Sequence, residues 1–220
     1  MFPLVPDPTA PPFVAVFPPA PSSPPVASEP SPGAADPDAA LAAVVAGNRR
    51  FVSGQPLYGH QVRRAVAVAT TPAPIAVVVG CMDTRVPVEA VFDQDFGSIF
   101  AVRTGGHVLD RAAVGSVEIA VNAVGVPLVL VLGHRRCAAV ATAVDAWTTG
   151  RRPHGGVGAV VDDVVDAIRA ATADRVEAID RLAREHTART VARRRTVLGD
   201  RARVVDAYYD VDTGVVELTR

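Results

Sequence analysis

Two short, uniformly apolar runs constrain the fold of this chain more than any other feature of its sequence. They read IAVVVG at residues 75–80 and VPLVLVLG at residues 126–133, and both are rich in β-branched residues. Such runs are typical of parallel strands that are buried on both faces, because neither face then needs polar side chains. SIFAVR at residues 98–103 predicts a further strand.

The segments around these strands predict helices. The first, DPDAALAAVVAGNRRFVSG, has Asp36 as a cap, Pro37 in its first turn and Gly54 as a stop. Further helices are predicted in QVRRAVAVATT, AAVGSVEIAVNAVG, CAAVATAVDAW, VGAVVDDVVDAIRAATA and RVEAIDRLAREHTARTVARRR. The closing stretch RVVDAYYDVDTGVVELTR predicts two strands around a turn at residues 212–214. This alternation predicts an α/β fold with a mainly parallel sheet flanked by helices.

The first 35 residues differ in composition from the rest of the chain. They are rich in proline and alanine, and they hold most of the 19 prolines of the 220-residue sequence. Such a segment is predicted to be disordered or locally polyproline II. We interpret it as a linker, a partner-binding tail or a dispensable extension, and residues 36–220 as one domain.

Composition also bounds the class of protein. A formal net charge of −1 argues against a nucleic-acid partner. No apolar run approaches the roughly 20 residues that a membrane helix needs. The start lacks the basic segment and apolar core of a signal peptide, so we expect a cytoplasmic protein.

Metal-binding residue types follow both central strands. Cys81 follows the first run directly, His134 follows the second, and Cys137 lies three residues further on. Because the carboxyl ends of parallel strands meet at one edge of a sheet, these side chains are predicted to converge. Cys, His and Cys form a plausible three-ligand set for zinc with an open fourth position. Taken singly, each is an ordinary core residue, and the two cysteines could instead form a disulfide.

An acid and a base lie in the same turn as the first cysteine. Alone, Asp83 is a helix or turn cap and Arg85 a surface charge. Beside zinc, Asp83 could occupy the fourth position itself. Alternatively it could turn away, held by a charge-assisted pair with Arg85.

The stretches CMDTR and HRRC resemble the zinc and dyad signature of the β-class carbonic anhydrases, Cys-x-Asp-Ser-Arg and His-x-x-Cys. GNRRFVSG, RVPVEAVFDQDFGSIFAVRTGGHV, GSVEIAVNAVGVPLVLVLGH and AYYDVDTGVVEL also match that family in order and spacing, so the likeness extends from about residue 38 to residue 220. The resemblance implies a four-stranded parallel core with an antiparallel C-terminal strand. It implies Zn²⁺ bound by Cys81, His134 and Cys137, and a catalytic dyad of Asp83 and Arg85, with Asp83 as a fourth ligand in a closed state. The implied reaction is the reversible hydration of carbon dioxide to bicarbonate and a proton, in a homodimer or homotetramer.

The chain departs from the family pattern at four positions around this signature. Thr84 replaces the signature serine, Ala138 a glycine, Pro72 a glutamine and Ile119 a tyrosine. The methyl group of Ala138 is expected to crowd the site, and Pro72 to remove a polar contact to substrate. Two alternatives therefore stay open, namely a carbon disulfide or carbonyl sulfide hydrolase of the same fold, and a zinc-stabilised interaction module.

The remaining histidines receive different predictions. His60, His154 and His186 lie in loops or polar helix stretches and are predicted to be solvated. By resemblance His107 lies nearer the site, where a proton-shuttle role is conceivable.

Overall fold

The computed structural model describes residues 36–171 and 179–219, and within them it contains a five-stranded sheet. The strands are β1 (Ala76–Cys81), β2 (Ile99–Thr104), β3 (Leu128–His134), β4 (Arg203–Tyr209) and β5 (Val216–Thr219). Their order is β2-β1-β3-β4-β5. The first four run parallel, and β5 pairs antiparallel with β4. The predicted fold class is confirmed.

Seven α-helices accompany the strands in the described part of the chain. They are α1 (Pro37–Val52), α2 (Val62–Ala67), α3 (Val88–Val91), α4 (Arg111–Asn122), α5 (Ala138–Thr149), α6 (Gly155–Ala171) and α7 (Ile179–Leu198). Asp36 caps α1 as predicted, since its carboxylate accepts a hydrogen bond from the backbone N–H of Asp38 at 2.9 Å. The short helix α3 was not predicted, because one turn is too brief to produce a helical periodicity.

The two central strands are buried along their whole length, as their uniform apolar sequence predicts. On one face, Val78 and Leu130 pack with residues of α1 and α3. On the other face, Val77 and Val129 pack with residues of α4 and α7. Since the two strands are parallel and in register, their carboxyl ends lie side by side at one edge of the sheet.

Helix α7 comes unusually close to the end of β3. A methyl group added to Gly133 would lie 2.2 Å from Thr187 Oγ1, a buried side chain of α7. Only glycine permits this approach, which brings α7 against the edge of the sheet that carries His134.

The predicted extension at residues 1–35 lies outside the described residues, as do the predicted helix ends at residues 172–178. Among the described helices, none combines the length and the apolar character that crossing a membrane requires.

Candidate metal centre

The structure brings the three predicted ligands together. Cys81 is the last residue of β1, His134 is the last residue of β3, and Cys137 is the residue that precedes α5. All three are buried, with at most 3% of their surface exposed. Their ligand atoms all lie within 4.8 Å of one another.

The geometry of this cluster fits a tetrahedral zinc ion. The two sulfur atoms are 3.9 Å apart. Two zinc–sulfur bonds of about 2.3 Å at a tetrahedral angle would separate the sulfurs by about 3.8 Å. The donor set of nitrogen and thiolate sulfur is also the set that zinc prefers.

The histidine presents a free lone pair to the same cluster. His134 Nδ1 lies 2.9 Å from the carbonyl oxygen of Arg135. Because a carbonyl can only accept, Nδ1 carries the proton and Nε2 is left with a lone pair. Within the described residues, this buried Nε2 has no hydrogen-bond partner. Histidines that bind a metal through one ring nitrogen commonly donate the N–H of the other to a carbonyl oxygen, as His134 does here.

The two cysteines are free thiols, so the disulfide alternative is not what the structure contains. The pKa of Cys81 is lowered, chiefly because Cys137 donates a hydrogen bond to its thiolate. The same bond and burial raise the pKa of Cys137. The pair therefore accepts one negative charge readily and a second only with difficulty. A divalent cation between the sulfurs would stabilise both thiolates.

Asp83 is turned towards Arg85 in a bidentate pair. Arg85 Nε donates to Asp83 Oδ1 at 2.9 Å, and Arg85 Nη2 donates to Asp83 Oδ2 at 2.7 Å. The backbone N–H of Arg85 also donates to Oδ1, at 2.9 Å. These bonds lower the pKa of Asp83 to about 2, so the carboxylate stays ionised at neutral pH. Of the two arrangements considered for Asp83, the structure has the pair with Arg85, and the carboxylate is not part of the Cys81–His134–Cys137 cluster.

One further arginine, Arg103, was missed by sequence reasoning, and it holds this turn together with Arg85. Arg103 donates from Nε to the carbonyl of Cys81 at 2.9 Å and from Nη2 to the carbonyl of Asp83 at 2.6 Å. Arg85 Nη2 also donates to the carbonyl of Arg136 at 3.2 Å, which links the turn after β1 to the one after β3. The only sequence signal for Arg103 is a charged residue near the end of a strand.

The turn between His134 and Cys137 is held by acids from elsewhere in the chain. Arg136 has a left-handed backbone conformation, with a φ of 57°. Its backbone N–H donates to Asp180 Oδ1 at 3.0 Å, and its side chain pairs with Asp212 at 3.0 Å. Arg135 pairs with Asp180 at 3.0 Å as well. The ligand turn is thus tied to α7 and to the turn between β4 and β5.

The predictions for the other histidines have different outcomes. His60 and His154 are exposed, as expected. The prediction for His186 is wrong, because only 1% of that residue is exposed. Its neighbours in α7 include many arginines, and these gave the segment a solvated appearance. His107 is equally buried, and burial and His186 lower its pKa well below the usual range. Its role as a proton shuttle stays a prediction.

The four departures from the family pattern lie outside the buried cluster. Pro72, Thr84, Ile119 and Ala138 are all exposed. Ala138 is the first residue of α5, and the crowding expected from its methyl group stays a prediction.

Comparisons with known proteins agree with this geometry. The family model described as carbonic anhydrase matches residues 76–216, which include all three predicted ligands and the Asp83–Arg85 pair. A carbonic anhydrase of Mycolicibacterium smegmatis is 42% identical over 158 residues, covering 71% of this chain and 77% of the relative. Carbonic anhydrase 2 of Mycobacterium tuberculosis is also 42% identical over 158 residues, covering 71% and 76%.

Solved structures of the same class share the fold. The β-carbonic anhydrase of Coccomyxa in complex with acetazolamide aligns with a TM-score of 0.62 at 21% identity, over 81% of this chain and 85% of that one. One of two tetrameric β-carbonic anhydrases from Sordaria macrospora aligns with a TM-score of 0.59 at 19% identity, over 70% and 84%. Fold, family model and sequence relatives agree. The chain belongs to the β-class carbonic anhydrases, which makes it an enzyme of the carbonate dehydratase type.

Proposed function

We propose that this chain is a zinc-dependent enzyme that catalyses the reversible hydration of carbon dioxide to bicarbonate and a proton. The observation that carries this proposal is the buried Cys81–His134–Cys137 cluster, beside a carboxylate that an arginine holds in place. Membership of the carbonic anhydrase family supports it.

The zinc ion would be held by Cys81 Sγ, His134 Nε2 and Cys137 Sγ. Bound there, zinc would acidify a water molecule and so supply hydroxide for attack on the carbon of carbon dioxide. The protein would provide a buried, preformed set of ligands for that ion, since the three atoms already lie within 4.8 Å of one another.

Asp83 would orient the reacting water. Its Oδ1 already accepts two hydrogen bonds from Arg85, whereas Oδ2 accepts one and keeps a lone pair available. A carboxylate with a pKa of about 2 is ionised at neutral pH and can then only accept hydrogen bonds. Asp83 Oδ2 would therefore accept a hydrogen bond from the water without donating one. Arg85 would hold Asp83 in this orientation and keep its carboxylate out of the fourth metal position.

Rapid-mixing assays of carbon dioxide hydration test the proposal on the zinc-loaded protein. The parent is expected to exceed the uncatalysed rate, and Cys81→Ser to fall to background with a reduced zinc content. Thr84→Ser serves as the matched control, because it restores the family residue at an exposed position of the same turn and should keep the parental rate. Background rates in both the parent and Cys81→Ser would contradict the proposal. Sulfide release from carbonyl sulfide in that case would favour the hydrolase alternative.

We further propose that the enzyme assembles as a homodimer or homotetramer through the outer edge of β2. This strand ends the sheet, and Phe100 on it is 38% exposed. The neighbouring helix α2 has no buried residue, and its Val62 and Val66 are 75% and 68% exposed. An open strand edge flanked by exposed apolar side chains favours association with a second copy. The tetrameric state of the Sordaria macrospora structure supports the proposal.

Light scattering on the eluting protein tests this assembly. Phe100→Glu is expected to lower the mass of the particle, because it places a charge at the proposed contact. Val157→Glu is the control, since Val157 is 55% exposed on α6 and belongs to neither β2 nor α2. A monomeric parent would contradict the proposal, as would an unchanged mass for Phe100→Glu.

A further inference from the structure

We propose that His186 is a positioning residue of the metal centre, which holds, through the carbonyl of Gly106, the turn that faces Cys81. This inference rests on the zinc site proposed above, but it does not depend on the reaction carried out there. His186 lies in α7, remote in sequence from all three ligands, and the family signature does not include it.

The contacts of His186 are directed at one turn. Its Nε2 lies 2.9 Å from the carbonyl oxygen of Gly106. Because that oxygen can only accept, Nε2 is the donor and carries the ring proton. The imidazole also packs against the ring of His107, with 4.4 Å between the centroids and a tilt of 31°. Both rings are 1% exposed, so these contacts form away from solvent.

The turn at residues 105–107 needs such support, because its backbone is strained. Gly106 and His107 both have positive φ, at 60° and 49°. A non-glycine residue in this region is uncommon and persists only where surrounding contacts determine it. The turn is also tightly confined, since a methyl group on Gly106 would lie 3.1 Å from the Cβ of Ala139. His186 supplies both a hydrogen bond and a packing surface to this strained turn.

The same turn lies beside the first metal ligand. It follows β2 directly, and Thr104 at the end of β2 is the register partner of Cys81. The backbone N–H of Met82 donates to the carbonyl of Thr104 at 2.9 Å, so the end of β2 is fixed to the residue after the ligand.

A consequence for metal binding follows from these contacts. If the bond from His186 is lost, the strained turn can relax, and the end of β2, which is bonded to the residue after Cys81, is no longer held in place. The end of β1 then loses a neighbouring contact that positions the Cys81 sulfur. Groups that orient a metal ligand in this way typically change metal affinity by about 10–100-fold when they are removed.

Zinc affinity of the full chain, measured by competition with a chelator, tests the proposal. His186→Phe keeps a ring to pack on His107 but removes the donor, and a loss of zinc affinity of about 10-fold or more is expected. His186→Gln places an amide N–H near the position of Nε2 and should restore affinity to within about threefold of the parent. Thr190→Val is the matched control, because it alters another buried polar residue of α7 and should leave zinc affinity unchanged.

Each outcome decides the matter. Parental zinc affinity in His186→Phe would overturn the proposal. Equal losses in His186→Phe and His186→Gln would also overturn it, since the donor would then be irrelevant, and so would an equal loss in Thr190→Val. Should His186→Phe fail to fold, His186→Asn replaces it, because its shorter amide cannot reach Gly106 and the same loss is expected. Zinc affinity is measured without carbon dioxide, so a failure of the proposed reaction would remain distinguishable.

Discussion

Asp83, just after β1, and Asp206, within β4, are two carboxylates whose pKa values are shifted in opposite directions. Asp83 follows β1 at the metal centre, and its side chain is 11% exposed. Its bidentate pair with Arg85 lowers its pKa to about 2. Asp206 lies within β4 and is 8% exposed. Burial raises its pKa to about 6, and the charges of Arg195 and Arg184 offset that effect only in part.

The difference shows that withdrawal from solvent alone does not identify a site. Both carboxylates have strongly shifted pKa values, which are often taken as a sign of function. Only Asp83 has an arginine aligned on both oxygens, with a preformed ligand cluster next to it. The charge at the metal centre is therefore stabilised by direct partners, whereas the charge in β4 costs stability at neutral pH.

Of the variants that test this comparison, Asp83→Asn is expected to give the largest effect. Its amide is a weaker acceptor and loses the charge pair with Arg85, so carbon dioxide hydration should fall by about 10²–10⁴-fold while zinc stays bound. Zinc content and hydration rate are measured on the same preparation, with Asp206→Asn as the control for loss of a carboxylate. Loss of zinc from Asp83→Asn would instead indicate a structural site with Asp83 as a ligand.

Asp206→Asn is expected to stabilise the protein at neutral pH. Because the folded-state pKa of Asp206 lies above its ordinary value of 3.8, its contribution to stability is fully present below that value and is lost as the pH rises through about 6. At pH 7.5 the variant should therefore be more stable than the parent by about 3 kcal/mol. Urea unfolding at several pH values between 4 and 8 measures this difference, which should grow up to pH 6 and then level off. A difference that does not change with pH would contradict the assignment.

Arg103→Gln is expected to weaken the metal centre to a smaller extent. Arg103 donates to the carbonyls of Cys81 and Asp83, and hydrogen bonds from a charged group contribute about 1.5–3 kcal/mol each. Since glutamine can keep one of the two bonds, hydration should fall by about tenfold, equivalent to about 1.4 kcal/mol. A rate equal to that of the parent would show that the turn holds its shape without this arginine.

Arg152→Gln is expected to have the smallest effect on both the hydration rate and the free energy of unfolding. Arg152 pairs with Asp162, but the two side chains are 55% and 56% exposed. An ion pair in this position contributes about 0–1 kcal/mol, so neither hydration nor the free energy of unfolding should change measurably. A clear loss of stability would show that solvent exposure is a poor guide to the contribution of charge pairs in this protein.

Much of the fold could be predicted because its strongest signals are local. The runs that became β1 and β3 are apolar throughout, and the sheet buries them throughout. The cap of α1 at Asp36 and the turn at residues 212–214 between β4 and β5 were also predicted correctly. Helix α3 could not be predicted in this way, since four residues carry no detectable period.

The residues of the candidate site could be predicted where their type indicates their chemistry. They could not be predicted where their role depends on their position in the folded chain. Cys81, His134 and Cys137 are unusual residue types at strand ends, so the sequence points to them. Arg103 acts on backbone carbonyls, which no sequence pattern displays. The burial of His186 depends on how α7 packs against the sheet, and its arginine-rich surroundings gave the opposite expectation. Such positions are set by long-range packing, which a single sequence does not contain.

The donor atoms of the cluster, which are two sulfurs and one nitrogen, also have a consequence for metal supply in the cell. Magnesium and calcium require six or more oxygen ligands, and the cluster offers none. The commonest divalent cations are therefore rejected by chemistry alone, and the competition for this cluster is confined to the scarce thiophilic ions. Occupancy of the enzyme should consequently follow the availability of zinc and remain indifferent to the far larger pools of hard cations around it.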